Sequence, residues 1–308
     1  MRVTIIGLGL IGGSLALALK KYTHCHVVGY DACPQTVASA LTGGVIDAGA
    51  DSPDQAVTDA DFVFWAIAPS MIPLTVQQTA GHMKNGAIVT DVASSKGDLA
   101  RLSGLLPPGV TYISGHPMAG SEKNGLGAAT ADLFVGQPYI LLPDSSAGTA
   151  ALPNLAGLIA QLGARIVVMD MSDHDPAVAD ISHVPHIAAA ALTMLAGDGV
   201  QGSAKLSLAA GGFRDMTRVA SGNPDMWADI CMTNRAAVQH SIGQLQNILE
   251  QVSSLLASQD TTALTEWLAR AKAIRDQYVF LPDNKGGAGL AHSGTFPASP
   301  GRDNRSRG

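Results

Sequence analysis

At 308 residues the chain is too long for one ordinary core and divides most economically into two domains. Its 46% hydrophobic content, 34 glycines and 5% aromatic residues suit an α/β protein with many tight strand-to-helix turns and exclude a disordered chain. A formal net charge of -6 argues against a nucleic-acid partner, whose phosphates call for a basic surface, and leaves room for an anionic metabolite held by a few placed cations.

Val3 to Ile6 is a short apolar run ending in glycine, Leu10 to Lys21 has helical character, and His26 to Tyr30 reads as a second strand closed by Asp31. The uncharged run to Leu19 is interrupted by Gly7, Gly9, Gly12 and Gly13 and is short for a membrane span, so neither a leader nor a membrane partner is expected. Between the first strand and helix, Gly7-Leu8-Gly9-Leu10-Ile11-Gly12 matches GxGxxG. Gly7 permits the tight turn, Gly9 lets the backbone approach a pyrophosphate and Gly12 lets helix pack closely on strand, while the helix N-terminus faces the negative charge. Asp31 stands where the acceptor for a ribose 2′-hydroxyl is expected. Its carboxylate would repel a 2′-phosphate, and no arginine follows it through Thr36, which favours NAD over NADP.

Further buried-strand candidates lie at Phe62 to Ile67, Ala87 to Asp91, Thr111 to Ser114, Tyr139 to Leu142 and Arg165 to Met169, with helix-compatible stretches between most of them. Such alternation predicts a mainly parallel sheet covered on both faces. After Met171 the pattern turns helical throughout: Asp175 to Ala196, Gly199 to Ala210, Asp225 to Ser258 and Thr261 to Phe280. The expected organisation is an α/β Rossmann-type dinucleotide-binding domain over 1–169, an all-α substrate-binding and dimerisation domain over 170–281, and a disordered tail over 282–308. The helices are apolar over more of their circumference than a lone bundle needs to bury, which predicts a homodimer. Cys25, Cys33 and Cys231 are scattered, without disulfide or zinc spacing, and suit a reducing cytoplasm; no metal site is expected.

Three constellations on or after the later strands could carry chemistry. Asp91-Val92-Ala93-Ser94-Ser95-Lys96-Gly97 offers hydroxyls and an ammonium to orient a substrate or cofactor group, although a serine N-cap of the next helix explains Ser94 or Ser95 nearly as well. Ser114-Gly115-His116-Pro117-Met118-Ala119-Gly120-Ser121-Glu122 reads as a loop holding one reachable imidazole, suited to a general base. Ser182-His183-Val184-Pro185-His186 puts two histidines and a serine on neighbouring faces of one helix, kinked at Pro185. Downstream, Gly211-Gly212-Phe213-Arg214-Asp215-Met216-Thr217-Arg218 brings guanidinium forks suited to carboxylates, or a surface pair of Asp215 with Arg218, and Trp227 follows Asn223-Pro224.

Taken together, GLGLIGGS, DVASSKG, GHPMAGSEKNG, SHVPH, GGFRDMTR and NPDMW resemble the prephenate and arogenate dehydrogenase family of tyrosine biosynthesis, in the family's order and over roughly Met1 to Phe280. The resemblance implies an active site in the cleft between the two domains. By motif, His116 corresponds to the catalytic histidine and Ser94 to the serine that helps orient it. His186 and Arg218 correspond to positions holding substrate carboxylate and ring, Glu122 to an acidic residue near the cleft entrance, and Trp227 and Gly211 to residues near the side-chain end, with His183 and Asp215 as supporting partners. The implied reaction is NAD-dependent oxidative decarboxylation of prephenate; arogenate is the alternative substrate, and His186 favours prephenate. No chorismate mutase segment precedes the fingerprint and no regulatory domain is expected after Phe280, so a stand-alone catalytic unit is expected. Two rivals make distinguishable forecasts. A β-hydroxyacid dehydrogenase would present a lysine where this chain has Ser182 to His186, and a dinucleotide-sensing protein would bind NAD without turnover.

Overall fold

The structure, a computed structural model, describes residues 1–97, 99–120, 123–199 and 201–277. Glu122 and the expected tail over 282–308 lie outside the described residues.

The chain opens with β1 (Arg2–Ile6), α1 (Leu10–Tyr22), β2 (His26–Tyr30), α2 (Pro34–Thr42), β3 (Ala48–Gly49), α3 (Pro53–Val57), β4 (Phe62–Trp65), α4 (Ile72–Thr79), β5 (Ile88–Asp91) and β6 (Thr111–Tyr112). These six strands form one parallel sheet in the order β3-β2-β1-β4-β5-β6. Alternation along the strands feeds two cores. Val3, Ile5, Phe62 and Phe64 pack on one face with Leu15 and Leu19 of α1, and Ile6, Val63, Trp65 and Val89 pack on the other with Ile72 and Val76 of α4. Strands apolar on both faces belong in such a doubly covered sheet.

The predicted strand Thr111 to Ser114 is two strands in different sheets. β6 completes the parallel sheet, then β7 (Ser114–Pro117) pairs antiparallel with β8 (Pro138–Leu142), which pairs in parallel with β9 (Arg165–Val168) after α5 (Ser146–Gln161). Gly115 makes the switch possible, because a Cβ there would lie 2.7 Å from the Asp91 carbonyl and 2.8 Å from Thr90 Oγ1. Only a bare Cα lets β7 cross so close to the end of β5.

From Met171 the structure is helical: α6 (Met171–Val178), a π-helical turn Ala179–His183, α7 (Val184–Gly197), α8 (Gly202–Ser207), α9 (Gly211–Thr217), a 3₁₀ turn Arg218–Ser221, α10 (Pro224–Thr233), α11 (Arg235–Ala257) and α12 (Thr261–Gln277). The run 171–197 is long and apolar enough to cross a membrane by composition, yet it carries His174 and His183 at full burial inside the protein's own fold. Pro185 lies inside the continuous helical run 171–197, and the irregularity expected there takes the form of the π turn Ala179–His183 directly before it, where the hydrogen-bond ladder shifts. The expected helix Asp225 to Ser258 is interrupted at Asn234, whose backbone leaves helical geometry while its buried side chain bonds elsewhere.

Candidate active site

Strand order reverses at β1/β4, and in open α/β sheets ligands bind outside the carboxyl ends at such a point. The Gly7–Gly12 turn lies there. A Cβ at Gly7 or Gly12 would collide with backbone, of Ala66 in the first case and of Gly7 in the second, whereas one at Gly9 would meet nothing. The turn is therefore pressed onto the sheet while its Gly9 side stays open, and Gly9 stands at the N-cap of α1, leaving the helix's N-terminal amides without a side-chain cap. Asp31 Oδ2 accepts from the Leu8 amide at 2.8 Å and Oδ1 from Cys33 N at 2.9 Å. Both oxygens keep lone pairs for a ribose hydroxyl, so Gly7, Leu8, Gly9, Leu10, Ile11, Gly12 and Asp31 form a cradle that fits a dinucleotide.

Beside it, β5 ends in Asp91, fully buried and densely bonded. Tyr112 and Ser114 donate to its Oδ2 at 2.6 and 2.7 Å, and Ala93 N donates to its Oδ1 at 2.8 Å. Lys96 Nζ lies 2.5 Å from the same Oδ1 and donates to Gly115 O at 2.7 Å. Burial lowers the ammonium's pKa against the opposing pull of Asp91. The sequence reading offered this ammonium to a ligand; the structure uses it to pin β7 to β5.

His116 is thereby on a strand and not in a loop, and the residue is 6% exposed. Its Nδ1 lies 2.9 Å from His174 Nε2, and His174 Nδ1 lies 2.8 Å from Asp175 Oδ1, which also accepts from Lys96 N at 2.8 Å. Burial drives the His116 pKa well below the usual histidine value, helped by Lys96, His174 and His183. The imidazole is neutral at pH 7, the state a base requires.

The helical part closes over this platform. Ser95 Oγ bonds Thr233 Oγ1 at 2.6 Å, and Asn234 Nδ2 donates to Asp175 O at 2.9 Å and to His183 Nδ1 at 3.1 Å. Of the two serines for which a cap of the next helix was the alternative reading, Ser95 instead bonds α10. Half-buried Ser94 presents its backbone to His183, whose pKa burial pushes down to about 4. Trp227 joins the two predicted histidines of the 182–186 segment: His186 stacks on it with centroids 3.6 Å apart at 12°, and His183 meets it edge-on at 6.2 Å.

The structure thus gathers His116, His183, His186 and Trp227 along one connected set of side chains, with the Ser94 backbone against His183. Arg218 is exposed on the 3₁₀ turn packed against α7, the helix of His186. Gly211 starts α9 beside Arg214, and Asp215 pairs with Arg214 at 3.3 Å at the surface, away from these contacts. Sequence reasoning missed His174, Asp175 and Asn234. His174-Asp175 was readable only as an adjacent acid and imidazole, and Asn234 only as a polar residue inside a long helical pattern.

Comparisons with known proteins extend the picture. A family model described as "Prephenate dehydrogenase, nucleotide-binding domain" matches residues 15–168, and one described as "Prephenate dehydrogenase, dimerization domain" matches residues 170–270. The chain is 33% identical to a prephenate dehydrogenase of Bacillus subtilis, over 96% of this chain and 78% of that protein. Among solved structures, Synechocystis arogenate dehydrogenase superposes with a TM-score of 0.79 at 32% identity, covering 91% of this chain and all of that one. Prephenate dehydrogenase from A. aeolicus, in complex with hydroxyphenyl propionate and NAD+, superposes with a TM-score of 0.83 at 28% identity, covering 90% and 98%.

Proposed function

The chain belongs to the prephenate dehydrogenase family, and we propose that it converts prephenate to 4-hydroxyphenylpyruvate, carbon dioxide and NADH in tyrosine biosynthesis. It is an NAD-dependent dehydrogenase with a Rossmann-type nucleotide-binding domain followed by a helical dimerisation domain. NAD at the Gly7–Gly12 cradle supplies the acceptor for the C4 hydrogen and its electron pair.

The observation that carries the reading is a neutral, nearly buried His116 on the strand that crosses the carboxyl end of β5. In this reading His116 takes the proton of the ring C4 hydroxyl as hydride leaves C4, the C1 carboxylate departs as carbon dioxide while the ring becomes aromatic, and His116 returns the proton to the resulting phenolate oxygen. Aromatisation makes the step strongly downhill, so the protein has mainly to hold C4 in place and polarise one hydroxyl. Ser94 orients the same hydroxyl. His186, its plane set by Trp227, and Arg218 receive substrate carboxylates, with supporting roles assigned to Gly211 and His183 and, by motif alone, to Glu122; Asp215, paired with Arg214 at the surface, is left out of this set. We assign residues 1–169 to cofactor and 170–281 to substrate and assembly.

A second copy of the chain completes the reading. Val184, Ala189, Ile230 and Val238 are the buried apolar side chains described beyond residue 183, whereas Leu195, Leu208, Leu249 and Leu256 are exposed. Helices with so little core of their own are stabilised by a homodimer interface. A cytoplasmic location accords with cysteines that form no disulfide framework.

The test is NADH formation measured with prephenate and arogenate offered separately, each with NAD and then NADP. A higher kcat/KM for prephenate with NAD is expected; preference for arogenate would reassign the substrate, and tight NAD binding with neither substrate turned over would leave a sensing protein.

A further inference from the structure

We propose that His174 is a positioning residue: Asp175, His174 and His116 form a one-way hydrogen-bond relay that places the proton of His116 on Nδ1 and leaves its Nε2 lone pair as the basic face. The direction follows from donor accounting. Asp175 Oδ1 already accepts from the Lys96 amide at 2.8 Å, so as a carboxylate it can only accept again, and His174 Nδ1 must be the donor at 2.8 Å. A neutral His174 then has a bare Nε2, and the 2.9 Å contact to His116 Nδ1 requires the proton to sit on His116. Among the described residues no hydrogen bond engages His116 Nε2.

The groups around the pair favour the same arrangement. His116 is faced by Lys96 from the segment after β5, by His174 from α6 and by His183 from the π turn, and burial keeps both relay imidazoles below the ordinary histidine pKa. Asp91 and Asp175 oppose the depression at His174 without reversing it. The anchor is firm, because Lys96 N and Asn234 Nδ2 hold the carboxylate and the carbonyl of Asp175 from two different elements. An acid that fixes an imidazole tautomer is worth up to about 10⁴-fold in kcat where a hydrolase base depends on it. Here the acid acts through a second imidazole, which sets a smaller ceiling.

The inference rests on His116 being the base, yet its first test needs no substrate. In the full-length protein labelled with [¹⁵N]histidine, long-range ¹H–¹⁵N correlations report the tautomer, with the His116 ring identified by its loss in His116→Asn. The expected result is a neutral His116 protonated at Nδ1; a proton on Nε2 overturns the relay. Kinetics supply the second test. His174→Phe removes the acceptor and is expected to lower kcat by about 10- to 100-fold, within the range of a general base's contribution, with little change in KM. His174→Gln, whose amide oxygen can accept from Nδ1–H, is expected to recover much of that loss. If His174→Phe keeps the Nδ1 tautomer and near-normal kcat, the assignment fails. If the tautomer is as expected but prephenate is not oxidised, the relay stands and the functional reading falls.

Discussion

Lys96 and Asp91 form a 2.5 Å salt bridge with 1% and 0% of their side chains exposed, and β7 hangs on it, since the same ammonium holds the carbonyl of Gly115 one residue before His116. Removing one partner of a buried pair strands the other charge, so Lys96→Met is expected to cost about 3–5 kcal/mol, read as a lower urea midpoint at unchanged m-value. Adding Asp91→Leu should not restore stability, because Tyr112, Ser114 and Ala93 would lose their acceptor. A double variant as stable as the parent would contradict the network.

His116→Asn keeps a polar side chain of similar reach but no group able to take a proton. Its kcat is expected to fall by about 10²–10⁴-fold while NAD affinity, measured by calorimetry, stays unchanged. Near-normal turnover in this variant would remove His116 as the base.

The acid limb of the pH profile should be displaced. Burial, reinforced by Lys96, His174 and His183, holds the His116 pKa well below the usual value, so the base stays competent into more acidic solution than an exposed histidine would. The acid limb of kcat/KM is expected below about pH 6.5, the ordinary histidine value. A limb at or above that value would show that the ring is solvated before substrate arrives.

Parts of the fold and site were legible in residues whose job is local. GxGxxG and Asp31 name a turn and its acceptor within one β-α-β unit, and the runs around Ile5, Phe64 and Val89 mark strands buried on both faces. What escaped depends on contacts far along the chain. Nothing near Lys96 says that its ammonium will be consumed by Asp91 and Gly115. Nothing near His174 says that a strand 58 residues earlier brings His116 to it. The break at Asn234 is similar: apolar periodicity continues across it, and its bonds to Asp175 and His183 exist only after the helices dock. The loop expected at His116 became a strand because its partner, β8, lies beyond a 20-residue interval that periodicity cannot bridge.

Asp31 should set cofactor choice. Asp31→Ser removes the carboxylate that would repel a 2′-phosphate while leaving a hydroxyl for the Leu8 amide. The ratio of kcat/KM for NAD over NADP is expected to fall by about tenfold or more, a change of about 1.4 kcal/mol. An unchanged ratio would place the discrimination elsewhere in the cradle.

The same buried imidazoles tie stability to pH. A histidine whose folded-state pKa lies below its unfolded value binds more protons when unfolded, so stability is lost as pH falls from about 6.5 toward the folded value. For His183 that lower bound is about 4, and His116 shares the direction through its burial. Near pH 5.5 His183 should contribute a slope of about 1.2 kcal/mol per pH unit, with His116, His174 and His186 adding in the same sense. Asp47 and Asp61 carry depressed carboxylate pKa values and titrate below this window, so they do not imitate the effect. Urea unfolding at closely spaced pH values between about 5 and 6 measures the slope directly. His183→Gln should remove close to one proton of uptake from it; a slope near zero in the parent protein would mean that these rings are charged, and therefore solvated, in the folded state.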